Sequence, residues 1–210
     1  MKIYNQAVSF IEQARRKQII EATIACAAED GYAGVSIAKV AQSAKISKSV
    51  VLYYFDGKDE LLTATAQMIL DELGRFILPK LEAQETARGQ LQAYILAEFS
   101  FLELHRPRLL AISTILTNHR NSRGELQLQK EAEKVNLRVW SEILQRGQAN
   151  GEFRSFAIKP MAVMLMNATN GALTQWVAEP TTALSSYANE LVTIFDLATR
   201  NESKPAATCA

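Results

Sequence analysis

Residues 36–61 read SIAKVAQSAKISKSVVLYYFDGKDEL, and they contain the clearest structural pattern of the sequence. The first of two short helices has an apolar face at i, i+3 and i+4 spacing, formed by Ile37, Val40 and Ala41. After a three-residue turn, 44–46, a second helix can pack across the first through Ile46, Val50 or Val51, and Phe55. Ser36 and Ser47 are good N-caps for these helices. The pattern predicts a helix-turn-helix module.

The solvent side of the second helix carries small hydrogen-bond donors, one cation and two phenols: Ser47, Lys48, Ser49, Tyr53 and Tyr54. These residue types suit phosphates and base edges. From Ser36 to Lys58 there are four lysines and one aspartate, a local charge of +3, although the whole chain carries only +1. The local charge therefore favours nucleic acid as the partner of this module.

The hydrophobic periodicity is helical almost throughout the 210 residues, and strand-like alternation is missing. Helix-breaking residues divide the chain into about nine helices. Pro79 is expected to end the fourth helix at Leu78. The later helices are longer and amphipathic, as in a helical bundle. We therefore predict an all-α protein with a three-helix helix-turn-helix domain in residues 1–60, a helical bundle in residues 61–200 and a disordered tail in residues 201–210.

Short motifs follow one another at nearly fixed spacing between Arg16 and Leu62: Gly31-Tyr32, Ser36, Val40-Ala41, Ser47-Lys48-Ser49, Tyr53-Tyr54-Phe55 and Lys58-Asp59-Glu60-Leu61. Together they resemble the DNA-binding domain of the TetR family of transcription regulators. The resemblance implies a ligand-responsive repressor. As a homodimer it would bind a palindromic, double-stranded operator, and a small effector would release it.

The resemblance also implies roles for individual residues. Ser36 is expected to hold a phosphate, and four residues are expected to contact phosphates or sugars: Lys48, Tyr53, Tyr54 and Lys58. Three residues at the front of the recognition helix are placed to meet base edges: Ser47, Ser49 and Val50. Further candidates, for an arm that reaches DNA, are Arg15, Arg16 and Lys17.

The chain departs from the family pattern at Lys45, where the turn usually carries glycine, and at Tyr54, where histidine is usual. The turn position commonly needs a left-handed backbone, which costs a residue with a β-carbon about 1 kcal/mol or more. We therefore predict that Lys45 is slightly strained and that its ammonium contributes to DNA binding. The alternative is a solvated lysine in an ordinary right-handed turn.

The last two helices have features of a pairing surface. In the last helix, apolar residues recur at intervals of 4, 3, 4 and 3: Leu184, Ala188, Leu191, Phe195 and Ala198. In the preceding helix, small residues such as Ala168 and Ala172 permit close approach. The resemblance implies that both helices pair with their symmetry mates in a four-helix bundle. The alternative is that the stripes serve the core of a single chain.

Bulky side chains are frequent between Tyr94 and Trp176, and a cavity among these helices would suit a largely apolar or aromatic effector. The candidate walls are Tyr94, Phe99, Phe101, Trp140, Met164 and Trp176. Candidate polar contacts are Glu98, His105 and Asn167. The alternative is that each aromatic residue is ordinary core.

Other function classes find little support. The two histidines, His105 and His119, stand in no metal-ligand spacing, and no nucleophile elbow, phosphate loop or dinucleotide fingerprint appears. We therefore expect no catalysis, metal or cofactor. No apolar run approaches the roughly 18 to 20 residues that cross a bilayer, and the N-terminal residues lack a secretory signal, so we expect a cytoplasmic protein. A helical adaptor that binds a partner protein without sensing a ligand is the alternative function.

Overall fold

The computed structural model describes residues 10–201, and within that range the chain folds into nine α-helices. They are α1 (Phe10–Gly34), α2 (Ile37–Ser43), α3 (Lys48–Tyr54), α4 (Lys58–Glu82), α5 (Ala87–Leu104), α6 (Arg106–Asn118), α7 (Gln127–Ala149), α8 (Ile158–Ala178) and α9 (Leu184–Thr199). The β-pairing found in this range is one isolated antiparallel bridge, between Phe153 and Arg200. The all-α prediction is confirmed. The predicted disordered tail, 201–210, lies outside the described residues except for Asn201.

The described chain divides into two compact units, each assembled from two separate segments. The first unit consists of residues 10–70 and 107–128, which form α1 to α3, the first half of α4, and α6. The second unit consists of residues 71–106 and 129–201, which form the rest of α4, then α5, nearly all of α7, α8 and α9.

The first unit is built on an aliphatic core to which all of its helices contribute. One fully buried residue from each helix illustrates this: Ile19 of α1, Val40 of α2, Val51 of α3, Leu61 of α4 and Ile115 of α6. Burying such a side chain contributes about 1.5–3 kcal/mol. The two short helices are too short to be stable alone, so this shared core holds them in place.

The second unit is organised around α5 and α9, which pack along each other, while α8 also contacts α9. Leu91 and Ile95 of α5 are fully buried. Arg88 fastens the two helices together, since its Nε and Nη2 donate to the two carboxylate oxygens of Asp196. The Glu152 carboxylate accepts from the backbone amides of Ala87 and Arg88 and so caps α5.

Helix α4 does not end at Leu78, as the sequence predicted, but continues through Pro79 to Glu82. The Pro79 carbonyl still accepts from the Ala83 amide, at 3.1 Å. Residues 78–80 are exposed, while Ile77 is buried and Leu81 is half-buried. The proline ring therefore faces solvent, where the loss of one backbone donor is cheap, and flanking apolar contacts hold the last turn.

Candidate functional site

The turn between α2 and α3 fixes the geometry of the helix-turn-helix. The Ile46 amide donates to the Ala41 carbonyl at 2.9 Å, and the Lys45 amide donates to the Gln42 carbonyl at 3.1 Å. These two bonds are the Schellman pattern, which requires a left-handed residue immediately after the helix cap. Lys45 is that residue, with φ of 54°, and within residues 10–201 it is the one non-glycine residue with positive φ. The predicted left-handed conformation of Lys45 is confirmed.

Both short helices begin at the serines that the sequence selected as caps. The Ser36 hydroxyl accepts from the Lys39 amide at 3.2 Å, and the Ser47 hydroxyl accepts from the Val50 amide at 3.3 Å. The Ser47 and Ser49 hydroxyl oxygens are 2.8 Å apart. Since one hydroxyl proton serves the bond between these two serines, the pair retains one further donor for an external acceptor.

The two sides of α3 differ sharply in exposure. Val51 and Phe55, just beyond the helix end, are buried in the core. On the other side, four of the predicted DNA-contacting side chains lie together in solvent: Ser47, Lys48, Ser49 and Tyr53. The exposed fraction of Tyr53 is 75%, although Val50 is half-buried. The structure thus brings most of the predicted contact residues onto one accessible face, beside the exposed Lys45.

Tyr54 and Lys58 hold more sheltered positions than the sequence indicated. Tyr54 is half-buried against the core, and its ring meets that of Tyr53 edge-on with centroids 5.0 Å apart. The Lys58 ammonium lies 4.7 Å from the centre of the Tyr32 ring and 3.4 Å from the Tyr32 carbonyl oxygen. Both residues therefore link the end of the helix-turn-helix to the core while remaining at its edge.

Arg16, a candidate for a DNA-reaching arm, is engaged inside the first unit. Its guanidinium stacks 4.2 Å from the centre of the Phe55 ring and donates to the Tyr54 carbonyl. It also forms an ion pair with Glu60 at 3.4 Å. Arg16 thereby ties α1 to the end of α3 and the start of α4, a role with no sequence signal because the partners are about 40 residues away. Lys39 is similarly paired with Asp30, which reduces the local positive charge.

The first unit also contains contacts between α1 and α6 that sequence reasoning missed. The Tyr32 amide donates to the Thr114 hydroxyl at 3.0 Å, and the Tyr32 hydroxyl lies 3.3 Å from Nδ1 of His119. Gly31 has φ of 68°, which interrupts the helical path of α1 just before Tyr32. The Gly-Tyr motif was visible in the sequence, but its partners on α6 were not.

Several of the predicted ligand residues are buried aromatic side chains of the second unit. The Tyr94 ring lies 4.2 Å from that of Trp140, and its hydroxyl donates to the Asn136 side-chain oxygen at 2.7 Å. Phe99 and Trp176 are buried as well. Phe101 is buried and its ring lies 4.6 Å from the half-buried His105 ring.

Glu98 is a buried carboxyl on α5, one helical turn after Tyr94. Burial raises the pKa of Glu98 from an ordinary value of 4.5 to about 7. The pKa of the Tyr94 hydroxyl is also raised, chiefly by burial and then by the charge of Glu98. Near pH 7 this part of the second unit therefore holds a carboxyl group whose protonated and ionised forms are present in comparable amounts.

Two predicted ligand residues do not belong to this interior. Met164 has an exposed fraction of 61%, and Asn167 is exposed too. The buried face of α8 is instead formed by Ala162, Leu165, Met166, Thr169, Leu173 and Trp176. Residues 164 and 167 lie outside this buried face, so the structure does not bring the predicted wall residue Met164 or the predicted polar contact Asn167 into the interior.

The structure places the predicted dimer stripe on α9 within the single chain, and its role in pairing stays a prediction. Its residues are buried within the single chain, on the side of the helix that packs along α5: Leu184, Ala188, Leu191 and Phe195. On α8, Ala168 and Ala172 are half-buried. Regularly spaced apolar residues identify the buried side of a helix, but they do not show whether the same chain or a second copy of it covers that side.

The exposed apolar residues of α8 and α9 are different ones. Met164, Ile194 and Leu197 are each more than half exposed, at 61%, 53% and 54%.

No helix within residues 10–201 combines the length and apolar character that crossing a bilayer requires. Over the same range, no three His, Cys, Asp or Glu side chains converge as metal ligands.

Two family models together match most of the chain. Residues 19–65 match the model for bacterial regulatory proteins of the tetR family. Residues 80–200 match the model for the C-terminal region of QacR-like proteins. The chain belongs to the TetR family. Members of the TetR family are helix-turn-helix DNA-binding transcription regulators rather than enzymes.

Curated TetR-family relatives match part of their length. The HTH-type transcriptional regulator BetI of Brucella anthropi is 30% identical over 118 residues, which are 56% of this chain and 61% of that protein. The BetI regulator of Burkholderia thailandensis is 35% identical over 98 residues, 46% of this chain and 50% of that protein. The chain thus spans between half and about three fifths of these relatives.

Solved structures share the TetR-family fold over most of the chain. A putative transcriptional regulator from Pseudomonas aeruginosa PAO1 has a TM-score of 0.76 at 22% identity, covering 89% of this chain and 90% of that one. The regulator FadR of Bacillus subtilis, in complex with stearoyl-CoA, has a TM-score of 0.75 at 22% identity, covering 85% and 96%.

Proposed function

We propose that this TetR-family protein is a repressor that binds a palindromic operator as a homodimer and releases it when a small, largely apolar effector binds. The observation that carries the proposal is the accessible face formed by Lys45 and the outer side of α3. It combines two exposed ammonium groups, two serine hydroxyls and an exposed phenol on a rigid helix-turn-helix. In this proposal residues 1–60 bind DNA and residues 61–200 hold the effector and the dimer interface.

The chemistry of the exposed face supports distinct roles for its members. The ammonium groups of Lys45 and Lys48 suit phosphates, since phosphate contacts supply most non-specific affinity. The Tyr53 hydroxyl and the remaining proton of Ser36 suit phosphates as well. The Ser47 and Ser49 pair, with one donor left, suits a base edge in the major groove. Val50, half-buried at the helix start, suits an apolar contact with a thymine methyl group.

Dimerisation is needed because one short recognition helix reads few base pairs. Two recognition helices held about 34 to 36 Å apart would reach successive major grooves. For the interface we propose the exposed apolar side of α8 and α9, marked by Met164, Ile194 and Leu197. Three large apolar residues on two adjoining helices favour association, whereas the stripe at Leu184 and Leu191 is already covered.

For the effector we propose a site among the buried aromatic residues of the second unit. Tyr94, Trp140 and Glu98 combine apolar surface with a few polar groups, the usual character of ligand sites. The FadR structure of the same fold holds stearoyl-CoA, a molecule with a long apolar tail. Effector binding would act through α4, which contributes residues to both units, and would favour a state that binds operator poorly.

The decisive experiment is a footprint on the DNA flanking the gene for this protein. We expect protection of a palindromic site, with two patches one helical turn apart. A matched pair of variants keeps the readout specific: Lys48→Ala should weaken protection, while Lys130→Ala, an exposed lysine on α7, should not. Absence of any protected site with folded protein would contradict the regulator and favour the adaptor.

A further inference from the structure

Arg146 lies in the last turn of α7 and carries donors that the fold leaves unmatched. Its Nε and Nη2 atoms are buried, and neither has a hydrogen-bond partner among residues 10–201. Arg146 follows Ile143 by three residues, so it shares a face with that buried side chain. Buried N–H donors of a guanidinium that lack acceptors are costly, and such groups in native proteins call for an explanation.

The two unmatched atoms form one edge of the guanidinium, where two N–H bonds point the same way. The same edge of Arg88, in the same unit, meets the two carboxylate oxygens of Asp196 at 2.5 and 2.8 Å. Side-on pairing of this kind is the geometry that arginine prefers for carboxylates. Arg88 and Arg146 thus differ, because a carboxylate occupies this edge in Arg88 and no acceptor within residues 10–201 occupies it in Arg146.

The two carboxylates nearest to Arg146 in the chain are engaged elsewhere, and so is Asp196 on α9. Both Glu152 oxygens accept backbone amides at the start of α5, at 3.1 and 3.0 Å. Glu142 lies on α7, is largely exposed, and faces Arg138 at 3.9 Å. Asp196 is held by Arg88. The fold therefore directs these acidic groups to other partners and leaves the Arg146 edge to an acceptor from outside the chain.

We propose that the Arg146 edge binds the carboxylate of the effector, which is then a monoanionic carboxylic acid with an apolar body. One guanidinium compensates one negative charge, so a carboxylate fits better than a phosphate dianion. The preceding turns of α7 present buried apolar residues, Trp140, Ile143 and Leu144, which suit an apolar body next to the charged group. This inference rests on the proposed function as a ligand-responsive regulator.

The test compares acids with their amides, which have nearly the same shape and no charge. The probes are sodium decanoate with decanamide and sodium 4-phenylbutyrate with 4-phenylbutanamide, measured by thermal shift and calorimetry on the full chain. We expect at least one acid to bind and to raise the melting temperature, and its amide to bind roughly 30-fold more weakly or worse. Equal binding of acid and amide, or no binding of either acid, overturns the proposal without requiring any variant.

Variants of the protein then test whether Arg146 is the residue that binds the carboxylate. Arg146→Gln should lose the preference for the acid and should melt at or above the temperature of the parent protein without ligand, because the unmatched buried donors Nε and Nη2 are removed. The matched control is Arg138→Gln on the same helix, whose side chain is 71% exposed, and which should keep the preference. If Arg146→Gln keeps it too, or if its ligand-free protein melts lower, Arg146 is a structural arginine and the proposal fails.

Operator binding separates this inference from the regulator proposal. If acids release the operator and amides do not, both stand. If the operator is bound but acids and amides release it equally, the regulator proposal survives and the role of Arg146 is refuted. If no operator is bound while the acids still bind preferentially, the regulator proposal fails and the carboxylate site remains.

Discussion

Replacing Glu98 with glutamine should remove a pH-dependent loss of stability from the second unit. Glu98 is buried on α5, and its pKa in the folded protein is about 7, against an ordinary value of 4.5. Burial disfavours the charged form, and the buried Tyr94 beside it offers no compensating charge. Glutamine has the same shape as the protonated carboxyl, so the substitution removes the charge and little else.

The size of the effect follows from the pKa difference. A shift from 4.5 to 7 is 2.5 pKa units, and at 1.36 kcal/mol per unit this is about 3 kcal/mol. Because the folded pKa is raised, stability is fully present below about pH 4.5 and is lost as the pH rises toward 7. Between pH 5 and pH 8 the folded protein should therefore lose about 2 to 3 kcal/mol through this one group.

The assay is urea unfolding of the parent protein and Glu98→Gln at several pH values between 5 and 8.5. The variant should be more stable than the parent at pH 8, and the difference should shrink to about 1 kcal/mol or less at pH 5. Glu103→Gln, an exposed glutamate on the same helix, is the matched control and should follow the parent. A constant difference between Glu98→Gln and the parent across this range would show that Glu98 does not titrate with a raised pKa.

Three further substitutions test other parts of the structure. Lys45→Gly should raise the free energy of unfolding by roughly 0.5 to 1 kcal/mol, since glycine adopts the left-handed turn freely. The same substitution should weaken operator binding and lower the salt slope of binding by about one unit. Unchanged binding would leave Lys45 without a DNA role. The double variant Ile194→Glu with Leu197→Glu should sediment as a folded monomer. Leu191→Glu, by contrast, buries a charge and should unfold the chain. If the double variant remains dimeric, the interface lies elsewhere. Arg16→Ala should destabilise the first unit by about 1 to 2 kcal/mol in thermal unfolding, while Lys17→Ala, exposed on the same helix, should be neutral; equal effects would deny Arg16 its structural role.

Local chemistry made the helix-turn-helix predictable from sequence. The caps at Ser36 and Ser47 and the left-handed Lys45 depend on a few neighbouring residues, and all three were predicted. In the same way, the spacing of Val40 and Val51 identified their buried side. Each of these features is decided within about one helical turn of chain, which is the range over which residue preferences act most directly.

The parts that the sequence did not predict depend on distant partners. The spacing of the apolar residues alone showed that Leu184 and Leu191 are buried, but the helix that covers them, α5, precedes them by about 90 residues. Met164 has an apolar side chain, yet the register of α8 places it outside. Arg16 has the positive charge expected of a residue that contacts DNA. Only the folded position of Phe55 shows that Arg16 instead packs inside the first unit. Pro79 is tolerated because its neighbours happen to be exposed.

The discontinuous make-up of the second unit has a consequence for synthesis. Helix α5 ends at Leu104, but α9, along which it packs, is complete only at Thr199, 95 residues later. At translation rates of about 5 to 20 residues per second, the ribosome needs roughly 5 to 20 s to cover that distance. Throughout that interval the apolar side of α5, with Leu91 and Ile95, lacks its native partner. The nascent chain therefore exposes apolar surface at that stage, and slow codons between α5 and α9 would prolong this exposure.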